Sequence, residues 1–196
     1  MKPGDKVIVP NVCWSTSVFS IIQMNLVPVF VDVDPQTLNM DIKHLKSIMT
    51  PDIKGIVAVH ILGNSTDMDE LMKIVKDHNL FLMEDTCESL GSTYNNKFLG
   101  TFGECGTFSF YFSHHITTIE GGMICTNNKK IYEMSKILRS HGMARESGNI
   151  KFEKSMQKKH NLLSPQFIFM FPTLNFRNTE IGAVIGMNQL KSLNNN

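Results

Sequence analysis

Short, nearly unbroken apolar runs alternate along this chain with stretches whose apolar residues recur every three or four positions. The runs at 6–10, 27–34, 55–62, 80–84, 107–112 and 123–126 are rich in β-branched and aromatic residues and predict strands. Several lack polar alternation, which predicts burial on both faces of a sheet. Between them, 17–25, 41–49 and 68–78 have helical spacing, and in the third Met68, Leu71, Met72 and Val75 fall at i, i+3, i+4 and i+7. Two more helices are predicted at 128–140, capped by Asn127 or Asn128, and at 179–193, where Gly182, Ala183 and Gly186 allow close packing. Asp34-Pro35 reads as a turn and Asp41 as a helix cap. The segment 146–166 is polar, lysine-rich and irregular, and predicts an exposed loop. Strands alternating with helices predict an α/β domain with a mostly parallel sheet, whose ligands bind at the carboxyl ends of the strands.

Composition narrows this picture. The 196 residues suffice for one domain, and 42% hydrophobic with 19% charged residues is ordinary for a globular chain. Only the Asn-rich end has the composition of a disordered tail. A net charge of +1 gives no pull toward nucleic acid or an anionic membrane, and no apolar run is long enough to span a bilayer. Cys13, Cys87, Cys105 and Cys125 form no CxxC pair, and three lie in or beside apolar runs, so reduced thiols in a cytoplasmic protein are expected. No metal is expected, because His114 and His115 are adjacent and no second pair has ligand spacing.

Five segments carry candidate chemistry. Residues 80–91 place Glu84-Asp85 at the end of a buried strand, followed by Glu88. Such an acid pair can be a solvated edge or a cap, or a carboxylate that keeps a pyridine nitrogen protonated. Trp14, the single tryptophan, can be core or a flat surface for a ring to stack on. Residues 27–41, VPVFVDVDPQTLNMD, look structural, and His60 looks packed or hydrogen-bonded rather than catalytic. Residues 107–126 run TFSFYFSHHITTIEGGMICT, in which Ser109 and Ser113 flank a strand end and Glu120-Gly121-Gly122 permits close backbone approach. Residues 174–190 place Asn175 and Arg177 before a helix capped by Thr179.

Together these segments resemble the DegT/DnrJ/StrS family of pyridoxal-phosphate sugar aminotransferases, with the resemblance running from Pro3 to Leu193. The VFVDVDPxTxNxD stretch is typical of that family, 84–91 resembles its E-D-x-x-x-x-x-G, and 174–190 resembles its GYNxRxTExxAAxGxxQL. Against the family's S-F-x-x-S/T-K-x-L/I-x-x-G-E-G-G, Ser109, Phe110 and Ser113 match, His114 stands at the lysine, and Ile119 replaces a glycine. No lysine lies between Phe98 and Asn128, so a slipped alignment restores none.

The resemblance implies a three-layer large domain of the aspartate aminotransferase type (fold type I) with a mostly parallel sheet. It implies Asp85 as the pyridinium partner, Trp14 on the ring face and Glu88 near the ring hydroxyl, where many members carry glutamine. It further implies Ser109 and Ser113 near the phosphate, and Asn175 reaching the phosphate of a neighbouring subunit. The His-His-Ile-Thr run is similar to the sugar 3-dehydratase subgroup, in which histidine replaces the lysine that would bond the cofactor covalently. Those enzymes use the pyridoxamine form on nucleotide-linked 4-keto-6-deoxyhexoses in deoxysugar and polysaccharide biosynthesis. Histidine titrates near neutrality, so His114 is suited to move the protons of such a reaction as base and acid.

Family members are longer than this chain, and their G-S/T-G/A-T phosphate loop does not occur in it. The expectation is therefore a central piece, residues 1–196 forming a partial cofactor-binding large domain truncated at both ends, without the small carboxyl-terminal domain. Such a piece would bind pyridoxal phosphate poorly alone and would need a homodimer or a complementing chain. Two other readings stand beside the dehydratase: a sugar aminotransferase, and an inactive truncated member that acts as an interaction module.

Overall fold

The computed structural model describes residues 1–193, so the Asn-rich end lies outside the described residues. The chain forms two compact units, one of Met1–Cys125 with the residues from Ile185 on, the other Thr126–Val184.

The first unit is built on a six-stranded sheet. Its strands are β1 (Lys6–Pro10), β2 (Val27–Val31), β3 (Ile53–Val59), β4 (Phe81–Asp85), β7 (Cys105–Ser109) and β8 (Gly122–Cys125), and a separate hairpin pairs β5 (Thr93–Tyr94) with β6 (Lys97–Phe98). The order is β2-β1-β3-β4-β7-β8. All neighbours run parallel except β8, which returns antiparallel to β7. The mostly parallel α/β sheet expected from the apolar runs is thus present.

Period-two alternation divides the core between the two faces of this sheet. Ile8, Ile56, Ala58 and Leu82 pack with Leu45 of α2 (Ile42–Ile48) and with Met68, Leu71 and Ile74 of α3 (Met68–Asp77). Val7, Val9, Val57 and Val59 pack on the other face with Ile21 of α1 (Ser15–Gln23). Asp41 and Asp67 cap α2 and α3 by accepting backbone N–H bonds.

The second unit holds α4 (Lys129–Leu138), capped by Asn128, and α5 (Ile150–Lys159). The helix α6 (Glu180–Leu190) follows, with the Thr179 hydroxyl accepting the Gly182 N–H. Gly186 faces Thr118 closely enough that an added Cβ would lie 2.9 Å from its methyl, which accounts for a small residue there.

Several boundaries differ from the sequence expectation. The segment 146–166 is not a loop throughout, because Asn149 caps α5 by accepting the Phe152 N–H and anchors to Glu133. None of the residues of α5 is buried, so no apolar stripe announced it. The β5–β6 hairpin turns on Asn95-Asn96, both at positive φ (49° and 60°), a pair suited to a tight hairpin turn. The β3 strand ends at Val59, three residues early, since Leu62 adopts φ 51° and breaks the extended run. The β7 strand is displaced toward Cys105, because its pairing with β8 ends at Ser109–Gly122 and the chain then turns.

Candidate functional site

Because β1, β3, β4 and β7 run in parallel, their carboxyl ends lie along one edge of the sheet, where α/β sheets bind ligands. Four sequence-selected segments follow these ends. They are the entry to α1 with Trp14, the turn after β3, the Asp85–Glu88 stretch, and the turn carrying His114.

Asp85 closes β4 and sits between two donors. Ser17 Oγ on α1 donates to Asp85 Oδ2 at 2.7 Å, and the Cys87 backbone N–H donates to Oδ1 at 3.2 Å. The Cys87 thiol beside it is pushed up to about 12, first by burial and then by the Asp85 charge. Trp14 is the residue before α1, and its indole is 76% exposed, so it is not core. Its carbonyl accepts the Ser17 N–H at 3.1 Å.

Glu84 behaves differently from its neighbour. It is fully buried, and its two oxygens accept the N–H groups of Gly100 (2.7 Å), Phe102 (2.6 Å) and Gly103 (2.8 Å). His60, also fully buried, takes the Thr66 N–H on Nδ1, which leaves Nε2–H to face Glu84 Oε2 at 3.4 Å. Burial pushes the Glu84 carboxyl up, but the His60 bond and the Gly103 and Gly100 N–H groups outweigh it and hold the acid below its ordinary range. Glu84 and His60 therefore brace the loop that enters β7.

Glu88 accepts the Leu62 N–H through Oε2 at 3.0 Å, so it clamps the turn after β3. Ser109 ends β7, and its hydroxyl accepts the Tyr111 N–H at 3.2 Å. Ser113 is exposed on the following turn. His114 donates its backbone N–H to Tyr111 O at 3.1 Å and sets its ring edge-on to Tyr111, with centroids 5.9 Å apart. Its Nδ1 atom is buried and has no hydrogen-bond partner among the described residues. The loop is closed by Phe110 N–H to Gly121 O (2.8 Å) and Thr118 N–H to Phe110 O (2.9 Å). Gly121 packs so tightly on Thr118 that a Cβ there would overlap its hydroxyl. Ile119, at φ 71°, takes a left-handed conformation that disfavours a β-branched residue.

The structure thus links Trp14 and Asp85 through Ser17, and groups Ser109, Ser113 and His114 on the turn after β7. Asn175 belongs to the second unit, where its Oδ1 accepts the Arg177 Nε–H at 2.9 Å. Sequence pattern places Ser17 on a helix and assigns it no role. Its signal was a hydroxyl one helical turn beyond Trp14, on the face that also buries Ile21. Among the described residues no group of three or more His, Cys, Asp or Glu could hold a metal, and no helix is long and apolar enough to cross a membrane.

The residues present fit a pyridine-type cofactor: a fixed carboxylate at a strand end, an exposed indole whose residue is joined to it through Ser17, and an unpartnered buried imidazole nitrogen. Proteins of similar sequence and fold are known. The GDP-4-keto-6-deoxy-D-mannose 3-dehydratase of Escherichia coli O55:H7 is 43% identical over 193 residues, covering 98% of this chain and 50% of that protein. The GDP-perosamine synthase of Caulobacter vibrioides is 38% identical, with 96% and 46% covered. The structure of the E. coli GDP-4-keto-6-deoxy-D-mannose-3-dehydratase with bound hydrated PLP superposes with a TM-score of 0.86 at 41% identity, covering 99% of this chain and 50% of that one. An aminotransferase from Psychrobacter cryohalolentis gives 0.84 at 31% identity, with 99% and 47% covered. The chain spans about half the length of these relatives, and the fold is that of the PLP-dependent aminotransferases. Residues 1–196 match the DegT/DnrJ/EryC1/StrS aminotransferase family throughout, and the chain belongs to that family.

Proposed function

We propose that this chain supplies the cofactor side of a nucleotide-linked 4-keto-6-deoxyhexose 3-dehydratase, working with pyridoxal or pyridoxamine phosphate in deoxysugar or polysaccharide biosynthesis in the cytoplasm. The observation that carries this is His114, an imidazole with a buried, unpartnered Nδ1 at the position where the family places its cofactor-bonding lysine. When bound, the cofactor ring supplies an electron sink. Asp85 would keep the pyridine nitrogen protonated, and Trp14 would offer a flat surface for the ring to stack on. Glu88 keeps the turn after β3 in place near the ring hydroxyl. Ser109 and Ser113 offer hydroxyls to the phosphate, and Asn175 serves the phosphate of a neighbouring copy in a homodimer or of a complementing chain. His114 takes a proton next to the reacting carbon and returns one to the departing 3-hydroxyl.

A sugar aminotransferase is the weaker reading, since that chemistry needs an amine at position 114 and no lysine lies between Phe98 and Asn128. An inactive interaction module is the third reading; residues 1–196 contain no G-S/T-G/A-T loop to cradle a phosphate. For that reason residues 1–196, as part of a large cofactor domain, should bind pyridoxal phosphate weakly by themselves. Tight one-to-one binding in a titration would contradict this. The function itself is tested by incubating the chain, with a partner carrying the glycine loop, with pyridoxamine phosphate and a nucleotide-linked 4-keto-6-deoxyhexose. A 3-deoxy product is expected with the native chain and not with His114→Ala. Equal activity of the two would remove His114 from its role.

A further inference from the structure

We propose that Ser17 is a positioning residue that sets the spacing between the Trp14 indole and the Asp85 carboxylate, the two groups that would meet a pyridine ring on its face and at its nitrogen. The proposal rests on the cofactor reading above for its consequence, but not for its geometry.

Ser17 is the third residue of α1 and is 5% exposed. A buried helical serine commonly returns its hydroxyl to a carbonyl one turn back. This one instead crosses to another element, donating to Asp85 Oδ2 at 2.7 Å over a separation of 68 residues. A hydroxyl on a carboxylate at that distance is among the stronger hydrogen bonds a protein makes. The backbone N–H of the same residue donates to Trp14 O at 3.1 Å. One residue thus holds the stacking candidate by its main chain and the carboxylate by its side chain.

Two further observations make this tie matter. No side chain caps the N-terminus of α1, since Trp14 makes no side-chain cap bond, so beside the packing of Cys13 and Val18 the Ser17 hydroxyl is what ties this turn to β4. On the carboxylate, Oδ1 is already taken by the Cys87 N–H at 3.2 Å. With Oδ2 held by Ser17, the plane of the carboxylate is fixed, and each oxygen keeps a lone pair for an incoming N–H. Alanine at 17 would leave the plane free to turn about one bond and would remove the hydrogen bond that ties the first turn of α1 to the end of β4.

Because Trp14 is the only tryptophan, its fluorescence reports this place alone. The experiment compares the full native chain with Ser17→Ala and Ser17→Thr, first without ligand and then during titration with pyridoxal phosphate. Without ligand, Ser17→Ala should lower the fluorescence anisotropy of Trp14, and Ser17→Thr, which keeps the hydroxyl, should restore it. In the titration, quenching of Trp14 should require about tenfold more pyridoxal phosphate in Ser17→Ala, the effect of one hydrogen bond to a charged group. Unchanged anisotropy in Ser17→Ala overturns the proposal, and so does lowered anisotropy with unchanged affinity. If the native chain shows no quenching up to millimolar pyridoxal phosphate, an outcome the weak binding expected of this chain allows, the ligand-free comparison alone decides the role of Ser17, and the cofactor reading is decided by the product assay with the partner chain. Should Ser17→Ala fail to fold, Ser17→Cys keeps the volume with a weak donor, and the same two readouts apply.

Discussion

Glu84 and Asp85 are neighbours in sequence and face opposite sides of the sheet: the first is fully buried against three backbone N–H groups and His60, the second meets Ser17 of α1. An acid pair that reads as one motif is therefore two separate devices, one that braces a loop and one that faces a helix start. Removing the brace should be costly. Glu84→Ala leaves the N–H groups of Gly100, Phe102 and Gly103 without their acceptor and should destabilise the chain by about 3–5 kcal/mol, since each buried donor left unpaired costs about 1–3 kcal/mol. Urea unfolding measures this, and a loss below about 1 kcal/mol would contradict it.

The same carboxyl gives a pH dependence of known sign. Its folded value lies below the ordinary glutamate range, so its contribution is complete above that range and is lost as pH falls through the lowered folded value. The native urea midpoint should fall between neutral and strongly acidic pH more steeply than that of Glu84→Gln. Parallel curves would show that Glu84 is not the group responsible.

Ile119 offers the opposite kind of test. Its φ of 71° puts a β-branched side chain in left-handed backbone, and the side chain is 61% exposed, so little packing is lost on removing it. Ile119→Gly relieves about 1–2 kcal/mol of strain and gives back part of that in unfolded-state freedom. A net gain of up to about 1 kcal/mol is expected in thermal or urea unfolding. A clear loss would mean that the isoleucine side chain makes contacts that outweigh its backbone strain.

Cys87 should be inert while the chain is folded. With its thiol pushed up to about 12, the thiolate that reacts is scarce at mildly alkaline pH. Alkylation by iodoacetamide, mapped by peptide mass spectrometry, should be slower by about two to three orders of magnitude than in denaturant. Rapid labelling of the folded chain would show an open and ionised thiol.

At position 114 the outcome is chemical. In the chain assembled with a partner that supplies the glycine loop, borohydride treatment after adding pyridoxal phosphate should leave no adduct on His114, because its ring nitrogen forms no stable covalent bond with the aldehyde. His114→Lys should give a stable mass increase on that residue. An adduct at 114 in the native chain would end the argument from histidine.

Much of the first unit was legible because its physics is periodic. The continuous apolar run at 55–62 marks a strand covered on both sides, and Asp41 and Asn128 announce the helices they cap, whereas Asp67 shows its role only once α3 is in place. Trp14, Asp85 and His114 stand out by motif, and each lies at or beyond the carboxyl end of a strand. What escaped depends on partners distant in sequence. Ser17 looks like any helix serine until β4 is placed beside α1, and Glu84 looks like half of an acid pair until Gly100–Gly103 closes over it. The α5 helix escaped for another reason: it has no buried residue to set a pattern, and its start rests on one asparagine cap.

The antiparallel return of β8 has a consequence for how this fold can change its chemistry. Residues 110–121 leave and re-enter the sheet at the same edge, between Ser109 and Gly122, so His114 lies outside every strand ladder and outside both apolar clusters. An exchange of one side chain there disturbs no sheet bond and no core contact. A substitution at position 114 can therefore be made at little cost in stability, in a way that one at Glu84 cannot.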